Sequence, residues 1–323
     1  MVKAIRIYEN GGPDVLRYED MELPAPGPGE AQIRQHAVGV NFIDVYFRTG
    51  LYPAPSNPFT PGNEGAGEVI AVGPGVDTFK VGDRVAYAGT IGAYAEARNI
   101  DVKFLTPLPE SVSYETGAAM MLKGLTVEYL LFRSYKVQPG DVILVHAAAG
   151  GVGLILCQWA KKLGAFVIGT VGSEDKAKLA REAGADAVIL YRQEDFVARV
   201  KDITGGALCH AVYDSVGKDT FPGSLDCLRP FGTFVSFGNA SGPVPPFSLG
   251  VLSSKALFVT RPSLFPFIAD QARLREMAAR LFDVVTSGAV KIAIHSTRPL
   301  AEAAEVHRAL EARATTGATV MIP

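Results

Sequence analysis

"DVILVHAAAGGVGLILCQWAKKLG", residues 141–164, joins an apolar strand to a small-residue turn and then to a helix. A strand that is apolar throughout fits a parallel sheet covered on both faces. The turn Ala147–Gly153 opens a helix whose first N–H groups have no partners within it, and whose dipole favours negative charge. A pyrophosphate is accommodated at such an end. Gly150 and Gly151 let the backbone approach phosphates, and Gly153 lets the helix pack on the strand. Ala148 stands where the G-x-G-x-x-G pattern has its first glycine, so the match is incomplete. The plain alternative is a tight strand–helix turn without a ligand. The strand before it and the helix after it supply the context a dinucleotide loop requires.

The rhythm continues outward. "AFVIGTV" (165–171), "AVIL" (187–190), "HAVYDSV" (210–216) and "GTFVSFG" (232–238) read as further strands. Helical stretches "SEDKAKLAREAG" (173–184) and "EDFVARVKDITG" (194–205) lie between them, and Gly164 and Gly184 mark helix ends. This alternation predicts an α/β unit with a doubly wound parallel sheet. Upstream, "SYETGAAMMLKGLTVEYLLFRSY" (113–135) is helix-like. Before it, "KAIRIY", "AQIRQHAVGV", "GEVIAVGPGV" and "GDRVAYAG" are short strands broken by Gly and Pro, which predicts a curled, mainly antiparallel unit. The tail carries helices at "DQARLREMAARLFDVVTSG" (270–288) and "LAEAAEVHRALEARA" (300–314). The closing strand "GATVMIP" (317–323) is expected to rejoin the first unit.

Composition agrees with two globular domains: 323 residues, 48% hydrophobic and 20% charged. The net charge of −2 gives no broad attraction to nucleic acid or anionic lipid, so neither is expected as the main partner. No apolar run approaches the ~18 residues of a membrane span. The first residues lack a signal peptide's apolar core. Cys157, Cys209 and Cys227 are far apart and form no C-x-x-C, which suits free thiols and a cytoplasmic location.

Readers of NAD place a carboxylate at the end of the second strand, about 20 residues past the glycines. Here that tip is Gly172-Ser173, with Lys176 just beyond. A small tip, a hydroxyl and a lysine suit the 2′-phosphate of NADPH. Glu174 and Asp175 weigh against this, although acidic residues also favour a helix start.

Seven stretches, "VGVNFIDVYFRTGLY", "PGNEGAGEV", "KGLTVEYLL", "HAAAGGVGLILCQWAKKLG", "VYDSVG", "LRPFGTFVSFGNASG" and "VTRPSL", together resemble the zeta-crystallin-like quinone oxidoreductases. These form a zinc-free branch of the medium-chain dehydrogenase/reductase superfamily. The resemblance runs nearly end to end. It implies a GroES-like β-barrel catalytic domain over 1–123 and 263–323, and a Rossmann NADPH-binding domain over 124–262. It implies NADPH-dependent reduction of a quinone. It also implies a homodimer joined along the Rossmann sheet edge, with "ALFVTR" (256–261) as the edge strand.

Zinc alcohol dehydrogenases of the same superfamily hold their metal with a Cys, a His and a further Cys or Asp. By that resemblance Asn41 of "GVNFID" stands at the cysteine's place and Asn63 of "PGNEG" at the histidine's. Amides are poor zinc ligands, the four-cysteine structural lobe is missing, and the five histidines show no ligand spacing. No metal is expected, and Glu64 is read as a hydrogen-bonding residue of the loop. A zinc-free site suits an acceptor that takes hydride readily, as a quinone does.

By motif position, Asn41, Tyr46 and Tyr52 are the acceptor-pocket residues. Asn41 is also counted among the cofactor contacts. Resemblance adds further cofactor contacts at Thr126, Gly151, Val152, Gly172, Ser173, Lys176, Tyr191, Ser215, Phe237, Gly238 and Arg313, and sets Lys123 along the same cleft. Two alternatives stay open: an NADPH-dependent reductase of enones or alkenals on this scaffold, and a non-catalytic NADPH-binding protein.

Overall fold

The computed structural model describes every residue except 313. Arg313, an expected cofactor contact, therefore lies outside the described residues. The chain divides into two compact units. One comprises Met1–Leu125, Phe265–Thr286 and Ile292–Pro323, and the other Thr126–Leu264 and Ser287–Lys291.

The first unit opens with β1 (Val2–Arg6) paired antiparallel to β2 (Arg17–Met21). The long strand β3 (Glu30–Gly39) is followed by helix α1 (Phe42–Thr49), which the short-strand reading of this third of the chain did not foresee. Asn41 and Asp44 cap α1 reciprocally, and Gly50, at φ +79°, ends it in the left-handed conformation that glycine adopts freely. Then come β4 (Glu64–Val72), β5 (Arg84–Ala88), β6 (Ala97–Asp101) and β7 (Leu105–Pro107). Strand β3 pairs antiparallel with β4 and β6, β4 with β5, and β5 with β7. Helix α2 (Tyr114–Tyr129) carries the chain into the second unit at Thr126 and loosens into a wider turn over Leu130–Ser134.

The second unit contains β8 (Val142–His146), α3 (Gly151–Lys162), β9 (Phe166–Val171), α4 (Glu174–Glu182), β10 (Ala187–Leu190) and α5 (Phe196–Ile203). Next are β11 (Cys209–Asp214), α6 (Phe221–Asp226), β12 (Leu228–Ser236) and β13 (Phe258–Thr260). All strand pairs are parallel, in the order β10-β9-β8-β11-β12-β13. That is the doubly wound Rossmann order, with the strand direction of progression reversing beside β8. The apolar strands are buried because helices cover the sheet; Leu144, Ile168, Val212 and Phe234 form its core with Val200 and Phe221. Gly164 and Gly184 close α3 and α4 at φ +88° and +94°.

After the short helix α7 (Leu264–Ile268), α8 (Gln271–Thr286) leads to β14 (Ile294–Pro299), α9 (Ala303–Glu311) and β15 (Ala318–Ile322). Strand β15 pairs antiparallel with the end of β3 and parallel with β14. Leu300, Ala303, Val306 and Met321 join Ile5, Ile33, Val69 and Tyr94 in the core of the first unit.

Candidate functional site

The glycine turn has the form the sequence requires. Ala147 holds φ +54°, an uncommon conformation for a residue with a side chain, and turns the chain out of β8. Leu154 N–H, bonded to Gly150 O at 2.9 Å, is the first to be closed within the new helix. The N–H groups of Gly151, Val152 and Gly153 precede it and are presented at the α3 N-terminus. A Cβ on Gly153 would run into the carbonyls of Ala147 and Ala148. The helix thus lies against its own loop, as a pyrophosphate cradle needs.

At the end of β9, Ser173 caps α4 and accepts from the N–H of Lys176. Tyr191, half-exposed beyond β10, brings its hydroxyl to 3.0 Å from where a Cβ on Gly172 would stand. Arg192 Nε lies 3.3 Å from the same point. Gly172, Ser173, Lys176 and Tyr191 therefore gather at one strand end, and Arg192 joins them as a second cation. The sequence reading did not include Arg192. Its approach depends on the parallel pairing of β9 with β10, which no local pattern reveals.

The other strand ends carry the remaining positions. Ser215 O accepts from Ala240 N at 3.1 Å, and Val216 O from Ser241 N at 2.8 Å. A Cβ on Gly238 would meet Ser215 O at 2.5 Å. The loop after β12 is thus laced onto the loop after β11, bringing Ser215, Phe237 and Gly238 together. Thr126, buried on α2, opens the second unit. These cradles, free of side chains where backbone must be approached, fit a dinucleotide.

In the first unit Asn41 is the N-cap of α1, Tyr46 lies in its second turn and Tyr52 follows it. The rings of Tyr46 and Tyr52 meet edge-on, with centroids 5.2 Å apart, and Tyr52 N–H donates to Tyr46 O at 3.0 Å. The capping motif of α1 therefore brings all three expected pocket residues to one short segment.

Behind Asn41 lies a buried polar cluster. Glu64 Oε1 accepts from Asn41 Nδ2 at 2.8 Å and from Lys123 Nζ at 2.5 Å, and Glu64 Oε2 accepts from Leu122 N–H at 2.7 Å. Glu64 is wholly buried, and Lys123 and Asn41 nearly so. The partners of Glu64 are thus the α1 cap and helix α2, not its own loop. Asn63 Nδ2 donates to Asp44 Oδ1 at 2.8 Å. Asp44 Oδ2 accepts from Asn41 N–H at 2.9 Å and from the Tyr94 hydroxyl at 3.0 Å. Burial raises the Asp44 carboxyl to about 6, against the pull of those donors.

Beyond Tyr94 the cluster continues to His307, Arg48 and Glu311. Arg48 Nη1 lies 3.0 Å from His307 Nδ1, and Arg48 Nη2 donates to Glu311 at 2.7 Å. A guanidinium has only donors, so Nδ1 carries the lone pair and Nε2 carries the hydrogen, facing Tyr94 Oη at 3.2 Å. Burial and then the Arg48 charge hold His307 down at about 3.

This donor set does not fit zinc. Asn41 and Asn63 both turn their amide nitrogens, which carry hydrogens and no available lone pair, toward carboxylates. The charge beside Glu64 is an ammonium already in place. Among the described residues no group of three or more His, Cys, Asp or Glu is disposed to hold a metal ion.

A glycine-turn Rossmann sheet and a GroES-like unit with a buried polar cluster, carried on one chain, define a medium-chain dehydrogenase/reductase. Residues 27–110 match the alcohol dehydrogenase GroES-like domain, and residues 151–283 match the zinc-binding dehydrogenase family. The chain is 52% identical to the quinone oxidoreductase of Pseudomonas aeruginosa, over all of both chains. The structure of Escherichia coli quinone oxidoreductase complexed with NADPH superposes with a TM-score of 0.97. It is 49% identical and covers 99% of this chain and 100% of that one. A 2-haloacrylate reductase from a Burkholderia species is 43% identical over 100% of this chain and 99% of its own. The chain belongs to the quinone oxidoreductase family, and it is an oxidoreductase. No helix among the described residues is long and apolar enough to cross a membrane.

Proposed function

We propose that the chain is an NADPH-dependent quinone oxidoreductase that works without zinc. The observation that carries this reading is the Asn41 amide. One of its N–H bonds is committed to buried Glu64, which leaves the second as a donor on the short segment that also carries Tyr46 and Tyr52. Bound NADPH supplies the hydride. Asn41 donates to a carbonyl oxygen of the acceptor and stabilises the negative charge that grows there. Tyr46 and Tyr52 flank the planar ring, and water or the Tyr52 hydroxyl protonates the product oxygen.

Residues 1–123 and 263–323 form the catalytic domain in this reading, and 124–262 the NADPH-binding domain. Gly151 and Val152 hold the pyrophosphate. Gly172, Ser173, Lys176 and Tyr191, with Arg192, hold the 2′-phosphate. Thr126, Phe237 and Gly238 serve the nicotinamide side, and Asn41, Ser215 and Arg313 are further cofactor contacts. A homodimer through β13 is supported by that edge strand, where Phe258 is 61% exposed, and by the nearby exposed Leu249. Three buried free cysteines suit the cytoplasm.

The 2-haloacrylate reductase at 43% identity favours a second reading, reduction of a conjugated carbon–carbon double bond. NADPH consumption with a panel of quinones and enones separates the two. Faster turnover of quinones supports the first, and faster turnover of enones the second. Tight NADPH binding with no turnover of any acceptor marks a binding protein.

A further inference from the structure

His146, Thr170, Ser224 and Asp214 form one buried hydrogen-bonded chain behind the cofactor loops. All four are almost wholly buried. His146 Nδ1 lies 2.9 Å from Thr170 Oγ1, and His146 Nε2 lies 3.0 Å from Ser224 Oγ. Ser224 Oγ donates toward Asp214 Oδ2 at 3.2 Å or Thr220 O at 2.8 Å. Either use spends its single hydrogen, so Ser224 accepts from His146 Nε2–H, and His146 Nδ1 accepts from Thr170. The chain is therefore directional, with a neutral ring. Burial lowers the His146 pKa, which agrees. Phe196 packs edge-on against the ring at 5.1 Å and seals it. Ser224 meets no solvent, and no carboxylate touches Nδ1, so this is not a hydrolytic triad.

The far end of the chain organises a loop. Asp214 Oδ1 accepts from Val216 N–H at 2.7 Å and Gly217 N–H at 2.9 Å, and Thr220 Oγ1 donates to Oδ2 at 2.7 Å. His146 immediately precedes the glycine turn, Thr170 lies two residues before Gly172, and Asp214 precedes Ser215. The Ser215 loop is in turn laced to Gly238–Gly242.

We propose that His146 is a positioning residue for the dinucleotide, fixing the loops after β8, β9, β11 and β12 in one mutual register. A dinucleotide spans several of these loops at once. Affinity depends on their simultaneous placement, which the ring fixes by accepting from one strand end and donating toward another.

The proposal rests on NADPH as cofactor, and wild-type protein that failed to bind NADPH would refute that reading instead. The test uses His146→Leu, His146→Gln and Thr170→Val, with fluorescence titration of NADPH, thermal melting of each protein, and quinone KM at saturating NADPH. Leu removes both ring functions, while Gln keeps a donor and an acceptor. Thr170→Val exchanges a hydroxyl for a methyl at nearly constant shape, so a folded variant is secured. The NADPH Kd should rise about tenfold in His146→Leu and severalfold in Thr170→Val, with quinone KM unchanged and His146→Gln closest to wild type. A folded Thr170→Val that binds NADPH like wild type would overturn the proposal. So would equal losses in the Leu and Gln variants, or a quinone KM that rises in step with Kd.

Discussion

Asn41 and Lys123 share one oxygen of a buried carboxylate: both donate to Glu64 Oε1, at 2.8 and 2.5 Å. An ionised carboxylate has only acceptors, so this arrangement decides which face of the Asn41 amide turns inward. It also supplies the positive charge a buried carboxylate needs.

Asn41→Ala should lower kcat/KM for quinone by about 10²-fold, the scale of losing one preorganised donor. The NADPH Kd should rise far less, because the other cofactor contacts stay in place. The α1 cap is lost as well, at about 1 kcal/mol of stability. Steady-state kinetics beside NADPH titration checks the split, and an unchanged kcat/KM would remove Asn41 from the mechanism.

Lys123→Met leaves Glu64 as a buried charge without its counter-ion. Breaking such a pair costs about 3–5 kcal/mol, readable by urea denaturation. Adding Glu64→Gln should recover only part, because a single amide oxygen must then serve the two remaining donors, Asn41 Nδ2 and Leu122 N–H, which the carboxylate met with separate oxygens.

Lys176→Ala should raise the NADPH Kd about tenfold and that for NADH less than about twofold, since only NADPH carries the 2′-phosphate. Arg192→Ala should act in the same sense. Equal use of both cofactors by the wild type would contradict the assignment of this strand end.

His307 titrates near 6.5 when unfolded and is held at about 3 in the fold. Between those values the unfolded chain binds the extra proton, so this group destabilises the fold as pH falls, by about 1.4 kcal/mol per unit. Asp44 acts oppositely. Its folded value of about 6 exceeds the unfolded 3.8, so the fold binds the proton first and gains stability as pH drops between them. The two nearly cancel in the wild type. His307→Gln should therefore gain about 2 kcal/mol on the wild type between pH 7 and pH 5, measured by urea midpoints.

The Rossmann unit was legible because its strands are apolar throughout and its helices end at glycines that take positive φ, as at Gly164 and Gly184. Helix α1 was harder. It has eight residues, and its one clear signal was the capping pair Asn41 and Asp44. The expected pocket residues were visible through motif position, and the cluster behind them was not. Lys123 meets Glu64 across 59 residues of chain, and His307 meets Arg48 across 259. Such partners are set by β-strand pairing and tail return, which leave no local periodicity.

In the proposed mechanism an amide held by Glu64, and no metal, meets the acceptor. Protein stripped with a strong chelator and confirmed metal-free should oxidise NADPH with a simple benzoquinone at the untreated rate, and added zinc should bring no increase. Activity that vanishes on stripping and returns with stoichiometric zinc would contradict it.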